Sequence, residues 1–220
     1  GKLIQKSIAG SGKKATLELG GKAANIIFAD ATIDQAVEGI INGIYFNQGH
    51  VCCAGSRLFV EEGVYDEVIR KLKHRMRSLV VGDPLDKNTD IGAINSKEQL
   101  GTINKYLKVG VEDGGEMYQA PCSLPSKGYW CRPTLFAVQT FRTVDEVIQK
   151  ANNTPYGLSA GVWTDKGSKI FNLTSKLRAG VIWANTYNKF DPTSPFGGYK
   201  ESGYGREGGL HGLSAYLNLN

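Results

Sequence analysis

Short runs of apolar residues, too brief for buried helices, alternate along this chain with segments whose apolar residues recur at intervals of three and four. Ala24-Asn25-Ile26-Ile27-Phe28, Arg57-Leu58-Phe59-Val60, residues 157–163 and Gly180-Val181-Ile182-Trp183-Ala184-Asn185 read as strands. Between them Asp34 opens a helix carrying Val37, Ile40, Ile41 and Ile44. Val64, Val68, Leu72, Met76 and Leu79 mark one face of a second helix that stops at Gly82-Asp83-Pro84. Further helices are predicted around 97–110, over 143–152 and over 168–177. Apolar strands joined through helices belong in a mainly parallel sheet covered on both faces, so the fold class is α/β. At 220 residues the chain can build that core without a disulfide or metal staple.

The ends are less regular. Leu3, Ile4 and Ile8 suggest a short helix, and Ala15-Thr16-Leu17-Glu18-Leu19 a strand closed by Gly20-Gly21. Residues 114–133 read as loop with a hairpin strand on each side, and residues 195–212 as a glycine-laden loop.

Several function classes are disfavoured. The 26 basic and 21 acidic residues are spread over both halves, so no basic arm for nucleic acid emerges. The cluster Arg70-Lys71-Leu72-Lys73-His74-Arg75-Met76-Arg77 is broken by apolar residues at helical spacing. It reads as a solvated helix face, with a nucleic-acid, membrane or cofactor-phosphate patch as the rival. No apolar run approaches the roughly 18 residues of a membrane helix, and the first residues are no signal peptide, so a soluble, cytoplasmic protein is expected. Four cysteines are too sparse for a disulfide framework, and free thiols are expected. His50, His74 and His211 form no ligand pattern with them, so no metal is expected.

Two residues could carry chemistry. In Asn47-Gln48-Gly49-His50-Val51-Cys52-Cys53-Ala54-Gly55-Ser56-Arg57 a thiol follows a glycine turn and precedes a strand, with small neighbours that leave it approachable. A cysteine among apolar residues is more commonly an inert hydrophobe, and Cys52 is open to both readings. Glu18 lies inside an apolar strand, where desolvation would raise its pKa into the range of a general base; a strand carboxylate pointing to solvent is the alternative.

Glu18-Leu19-Gly20-Gly21-Lys22, then Asn47-Gln48-Gly49 leading to Cys52, then Ser194-Pro195-Phe196-Gly197-Gly198-Tyr199-Lys200 with Ser202-Gly203, resemble three ordered signatures of the aldehyde dehydrogenase superfamily. The resemblance extends to Asn152-Asn153-Thr154, Tyr156-Gly157-Leu158 and residues 180–185. The wording of residues 51–57 and 125–134 is most similar to the group called aldehyde dehydrogenase family 16.

The resemblance implies an oxidoreductase that takes an aldehyde to a carboxylic acid. Cys52 would be the nucleophile, forming a thiohemiacetal and then a thioester, and Glu18 the base that activates the hydrolytic water. Hydride would pass to NAD or NADP, with Gly1, Leu19 and Gly20 at the cofactor and Phe190 and Phe196 along the aldehyde path. Core packing is the rival reading for the two phenylalanines. Cys53 is expected to point elsewhere and be structural. The whole protein is expected to be a homo-oligomer acting on a small aldehyde, without nucleic acid or membrane.

Two departures from the family pattern stand out. Gly1 matches the last glycine of the family's coenzyme loop, so residues 1–20 are expected to be a remnant of a coenzyme-binding domain and residues 21–220 a catalytic domain. About two dozen residues that the pattern places between Phe136 and Ala137, including a ribose-binding Glu and a ring-packing Phe, are absent. Activity of these 220 residues alone is therefore doubtful, and an apolar face around Leu17, Leu19 and Ile26 is expected to be exposed. A cofactor-independent thiol esterase or acyltransferase, or a non-catalytic scaffold domain, is the alternative function.

Overall fold

The computed structural model describes residues 1–136 and 138–217. Helix α1 (Lys2–Ile8) buries none of its residues, and the two-residue strand β1 (Leu17–Glu18) follows it. The central sheet begins with β2 (Ala24–Ile27), whose four residues are all buried. Helix α2 (Ile33–Tyr45) returns the chain to β3 (Arg57–Glu61), and α3 (Tyr65–Met76) and α4 (Lys97–Glu112) follow. A short hairpin of β4 (Tyr118–Gln119) and β5 (Thr134–Leu135) leads to β6 (Gln139–Phe141) and α5 (Val144–Asn152). Strand β7 (Tyr156–Gly157), β8 (Ser159–Trp163), α6 (Gly167–Lys176), β9 (Val181–Ala184), β10 (Tyr199–Lys200), β11 (Gly203–Tyr204) and α7 (Gly209–Leu213) complete the order.

Five parallel strands form one sheet in the order β6-β3-β2-β8-β9. Alternate residues of each strand face opposite sides, and the burial follows that period. Ile27, Val60 and Trp163 pack with Val37, Ile41, Val68, Leu72 and Met76 of α2 and α3. Ile26, Phe28, Phe59 and Val162 pack on the other side with Val147 and Ile148 of α5 and Leu173 of α6. The result is the three-layer α/β arrangement read from the sequence. Ile26 is fully buried in the second cluster, which corrects the expectation that it lines an exposed apolar face. Leu17 and Leu19 are half-buried.

The basic run of α3 is not an open patch. Its Lys71 and Arg75 pair with Asp34 and Glu38 of α2, and Lys73 with Glu116. Two of its basic side chains thus lie against α2.

The glycine-laden tail is more ordered than expected. Strand β11 pairs antiparallel with β1, setting Glu18 opposite Gly203, and β10 pairs with β7. The strand expected over 157–163 divides accordingly, with Tyr156–Gly157 bonded to the tail and Ser159–Trp163 in the main sheet. Buried Ser202 ties these pieces together: its hydroxyl donates to the Gly20 carbonyl at 2.8 Å and accepts from the Gly157 N–H at 3.0 Å.

Candidate active site

All five sheet strands run the same way, so the segments entering them converge on one edge. Glu18 and Gly21 precede β2, Cys52 precedes β3 and Leu158 precedes β8. Gly21 shows how close they come: a Cβ there would lie 2.9 Å from the Cys52 carbonyl and 3.0 Å from Leu158 Cβ.

The turn that leads to Cys52 is built on backbone that L-residues seldom adopt. After α2 the chain passes through a short 3₁₀ turn (Phe46–Gly49) in which Asn47 (φ 48°), Gln48 (φ 56°) and Gly49 (φ 74°) are all left-handed. Each non-glycine residue in that region costs about 1–3 kcal/mol, and such strain persists where the surroundings impose it. Here the His50 N–H donates to Asn47 O at 2.9 Å and Asn47 Nδ2 donates to His50 O at 3.2 Å. The Ala54 N–H closes the next turn onto Val51 O at 3.0 Å. The reversal leaves Cys52 exposed and Cys53 buried.

The two thiols differ sharply. The Cys52 thiol is lowered to about 6: a hydrogen bond from the Cys53 thiol favours its thiolate, partial burial opposes, and the backbone N–H groups of Cys53 and Cys52 add to the lowering. The Cys53 thiol is pushed up by Cys52 and by burial. Cys53 also donates to Asn188 Oδ1 at 3.4 Å. Cys53 is buried, as a structural residue would be, and its thiol is hydrogen-bonded to Asn188. Burial also raises Cys131, with Cys122 nearby as the second cause.

Glu18 is desolvated as the apolar strand suggested. Its pKa is raised to about 7, first by burial, then by the negative charges of Glu207 and Cys52; Arg206 and the Gly198 N–H pull the other way. Its Oε1 is buried without a hydrogen-bond partner. Such an orphaned atom is uncommon in a folded protein and suits a site that takes up a polar group.

Phe190 is 57% exposed and meets Phe196 edge-on at 5.4 Å and Trp183 at 5.4 Å. Its exposure does not fit the core-packing alternative, whereas half-buried Phe196 does pack against the core. Gly1 stands over Leu19: a Cβ on Gly1 would lie 2.5 Å from Leu19 Cδ1. Exposed Gly20 has nothing within 4 Å of an added Cβ. Gly1 and Leu19 are thus in close approach near Glu18, and the space at Gly20 is open.

Sequence reasoning missed Tyr187, Asn188 and the role of Ser202. Ser202 lay inside a recognised motif, but its two partners are 45 and 182 residues away. Among the described residues no group of three His, Cys, Asp or Glu could hold a metal, and no helix is long and apolar enough to cross a membrane.

An exposed, acidified thiol and a desolvated carboxylate thus stand at one edge of the parallel sheet of an α/β protein. The aldehyde dehydrogenase family model matches residues 1–220, and the chain belongs to that family. It is 42% identical to human retinal dehydrogenase 2 over 239 aligned residues, covering all of this chain and 46% of that protein. Rat mitochondrial aldehyde dehydrogenase gives 42% over 239, again with all of this chain and 46% of that one. Among solved structures, the NAD+ complex of an aldehyde dehydrogenase from Bacillus cereus superposes with a TM-score of 0.94 at 37% identity, covering 99% of this chain and 48% of that one. The chain spans about half the length of these relatives.

Proposed function

We propose that these 220 residues carry the thiol and carboxylate machinery of an NAD(P)-dependent aldehyde dehydrogenase, with residues 21–220 as its catalytic domain and residues 1–20 as part of its coenzyme-binding domain. The observation that carries this reading is the pairing of Cys52, exposed and acidified to about 6, with Glu18, raised to about 7 and holding an orphaned oxygen, on one edge of the sheet.

In this reading the Cys52 thiolate adds to the aldehyde carbon, and the carbonyl π pair moves to oxygen. Backbone N–H groups at the Cys52–Cys53 turn, which already favour negative charge on sulfur, are placed to hold that oxyanion. When bound, NAD(P)+ supplies the acceptor for the hydride that the thiohemiacetal carbon loses. The resulting thioester on Cys52 is hydrolysed when Glu18 takes a proton from water and the hydroxyl attacks the acyl carbon, expelling the Cys52 thiolate and a carboxylic acid. A carboxylate with pKa near 7 is part ionised at neutral pH and basic enough for that step.

Gly1, Leu19 and Gly20, with open space at Gly20 and the unpartnered carboxylate oxygen of Glu18 near them, fit the nicotinamide end of the cofactor. Phe190 and Phe196 suit an apolar aldehyde. Helix α1, which buries nothing, is free to pack against further residues at the phosphate end. The two relatives align over 239 residues against 220 here, which supports the reading that a segment of theirs has no counterpart in this chain.

The test is rapid-mixing of the whole protein with NAD+ and a reactive aldehyde. Cys52→Ala is expected to remove both the burst of reduced cofactor and turnover, by at least about a thousandfold. Turnover surviving in that variant would overturn the assignment.

A further inference from the structure

Tyr187 is 2% exposed although it follows the last sheet strand by only three residues. Its ring occupies a socket cleared by three glycines from three different segments. A Cβ on Gly43 of α2 would lie 3.0 Å from the ring, one on Gly161 of β8 2.7 Å, and one on Gly55 of the nucleophile turn 3.2 Å from the hydroxyl. Any side chain at Gly161 would displace the ring, so the fold gives up side-chain volume to admit it.

The socket aims the hydroxyl at one atom. Tyr187 Oη donates to the Cys53 carbonyl at 2.8 Å, and the Ser159 hydroxyl donates to the same carbonyl at 3.4 Å. Burial and the neighbouring Cys53 push the phenol above its ordinary range, so it remains a donor at all physiological pH. Asn188, the next residue, is left-handed (φ 55°) and accepts from the Cys53 thiol while its own Nδ2 donates to Asn42 O at 3.3 Å. Two successive residues of one loop therefore grip Cys53 by its carbonyl and its thiol. Cys53 is peptide-bonded directly to Cys52, so what holds its carbonyl and its thiol also holds the turn that presents the Cys52 sulfur.

We propose that Tyr187 is a positioning residue for the Cys52 nucleophile, its hydroxyl fixing the Cys53 carbonyl and with it the turn that presents the Cys52 sulfur. The proposal rests on the reading of Cys52 as nucleophile. It adds that the reactivity of Cys52 is set from a distance, by a residue that touches neither substrate nor cofactor. Tyr187 also stacks against Trp183 at 4.9 Å, and Trp183 against Phe190, so the same ring joins the nucleophile turn to the proposed aldehyde wall.

The experiment is the pH profile of iodoacetamide labelling at Cys52 in the whole protein, read by peptide mapping for wild type and Tyr187→Phe, with the thermal midpoint recorded for both. Phenylalanine keeps the ring in its socket and deletes only the donor. The labelling midpoint is expected to rise by about one pH unit, so that labelling at pH 7 slows about tenfold while the protein stays folded; a loss of packing alone would not move that midpoint. Labelling of Cys52 that is fast in wild type and has the same midpoint in the variant overturns the proposal and leaves Cys52 as nucleophile. Faster labelling of Cys53, Cys122 or Cys131 than of Cys52 in wild type overturns the nucleophile reading and the proposal with it. Should Tyr187→Phe fail to fold, Ser159→Ala removes the weaker donor to the same carbonyl. A shift in the same direction, about twofold in rate at pH 7, sustains the proposal, and an unmoved profile overturns it.

Discussion

Glu18 and Asp30 flank the same central strand, and their surroundings treat a carboxylate in opposite ways. Asp30 follows β2 at the carboxyl end of the sheet. Burial works to raise it, but hydrogen bonds from Lys169 at 2.8 Å and Thr164 Oγ1 at 2.6 Å, with Lys166 at 3.7 Å, outweigh that and hold it below the ordinary range. Glu18 precedes β2 at the amino end, has no ion pair among the described residues, and keeps an orphaned oxygen at a pKa of about 7. Open α/β sheets commonly bind ligands outside the carboxyl ends, where strand order reverses. Here that reversal lies between β2 and β8, and the Asp30–Thr164–Lys169 network occupies it. Glu18 and Cys52, the base and nucleophile proposed above, lie at the opposite edge. Burial works to raise both carboxylates, and the partners of Asp30 are what set the two apart.

The strongest way to break this contrast is Glu18→Gln in the whole protein. A general base contributes about a hundredfold to ten-thousandfold, so steady-state turnover should fall by that factor while the first burst of reduced cofactor survives. Equal loss of burst and turnover would move Glu18 from base to binding or folding. The unaltered protein supplies the matching pH test. Glu18 must be deprotonated to accept a proton, and its pKa is raised, so thioester hydrolysis should climb with pH through about 7 and level off above it. A limb centred near the ordinary carboxylate value would show that the desolvated Glu18 is not the base.

How far the site was legible in advance follows from where its partners lie in the chain. Strands β2, β3 and β9 announced themselves through consecutive apolar residues, and α2, α3 and α5 through helical periodicity, because the core rewards those patterns locally. The desolvation of Glu18 was legible too, since Leu17 and Leu19 flank it. Strands β10 and β11 were not: two residues each, set among glycines, they exist only because β7 and β1 pair with them. Tyr187 was missed for the same reason, its acceptor being 134 residues away. Helix α3 ends at Met76 rather than carrying on to Leu79, although Leu79 still packs in the core.

Asp30→Asn sharpens the comparison from the structural side. Loss of the charge-assisted bonds from Lys169 should cost about 2 kcal/mol of stability, read by denaturant unfolding, with the labelling rate of Cys52 unchanged. The sign with pH is fixed by the lowered pKa: Asp30 contributes stability above the carboxylate range that is lost as pH falls through it, and the Asn variant should lack that part of the acid sensitivity. A variant as stable as wild type at neutral pH would mean that the network is no more than a surface pairing.

The smallest expected effect concerns the proposed aldehyde wall. Phe190 makes edge-on contacts with Trp183 and Phe196, each worth about 0.5–1.5 kcal/mol, yet it remains more than half exposed. A residue retained for packing would be covered, and truncating it would show mainly in stability. A residue retained for substrate would leave stability nearly intact and show in binding of an apolar aldehyde, whose buried surface is worth about 25 cal/mol per Å². Phe190→Ala should therefore raise the KM of the whole protein for a long aliphatic or aromatic aldehyde about fivefold, alter kcat by less than about twofold, and leave the KM for a two-carbon aldehyde nearly unchanged. Equal effects on both aldehydes, or a fall in thermal stability without a change in KM, would return Phe190 to the packing role.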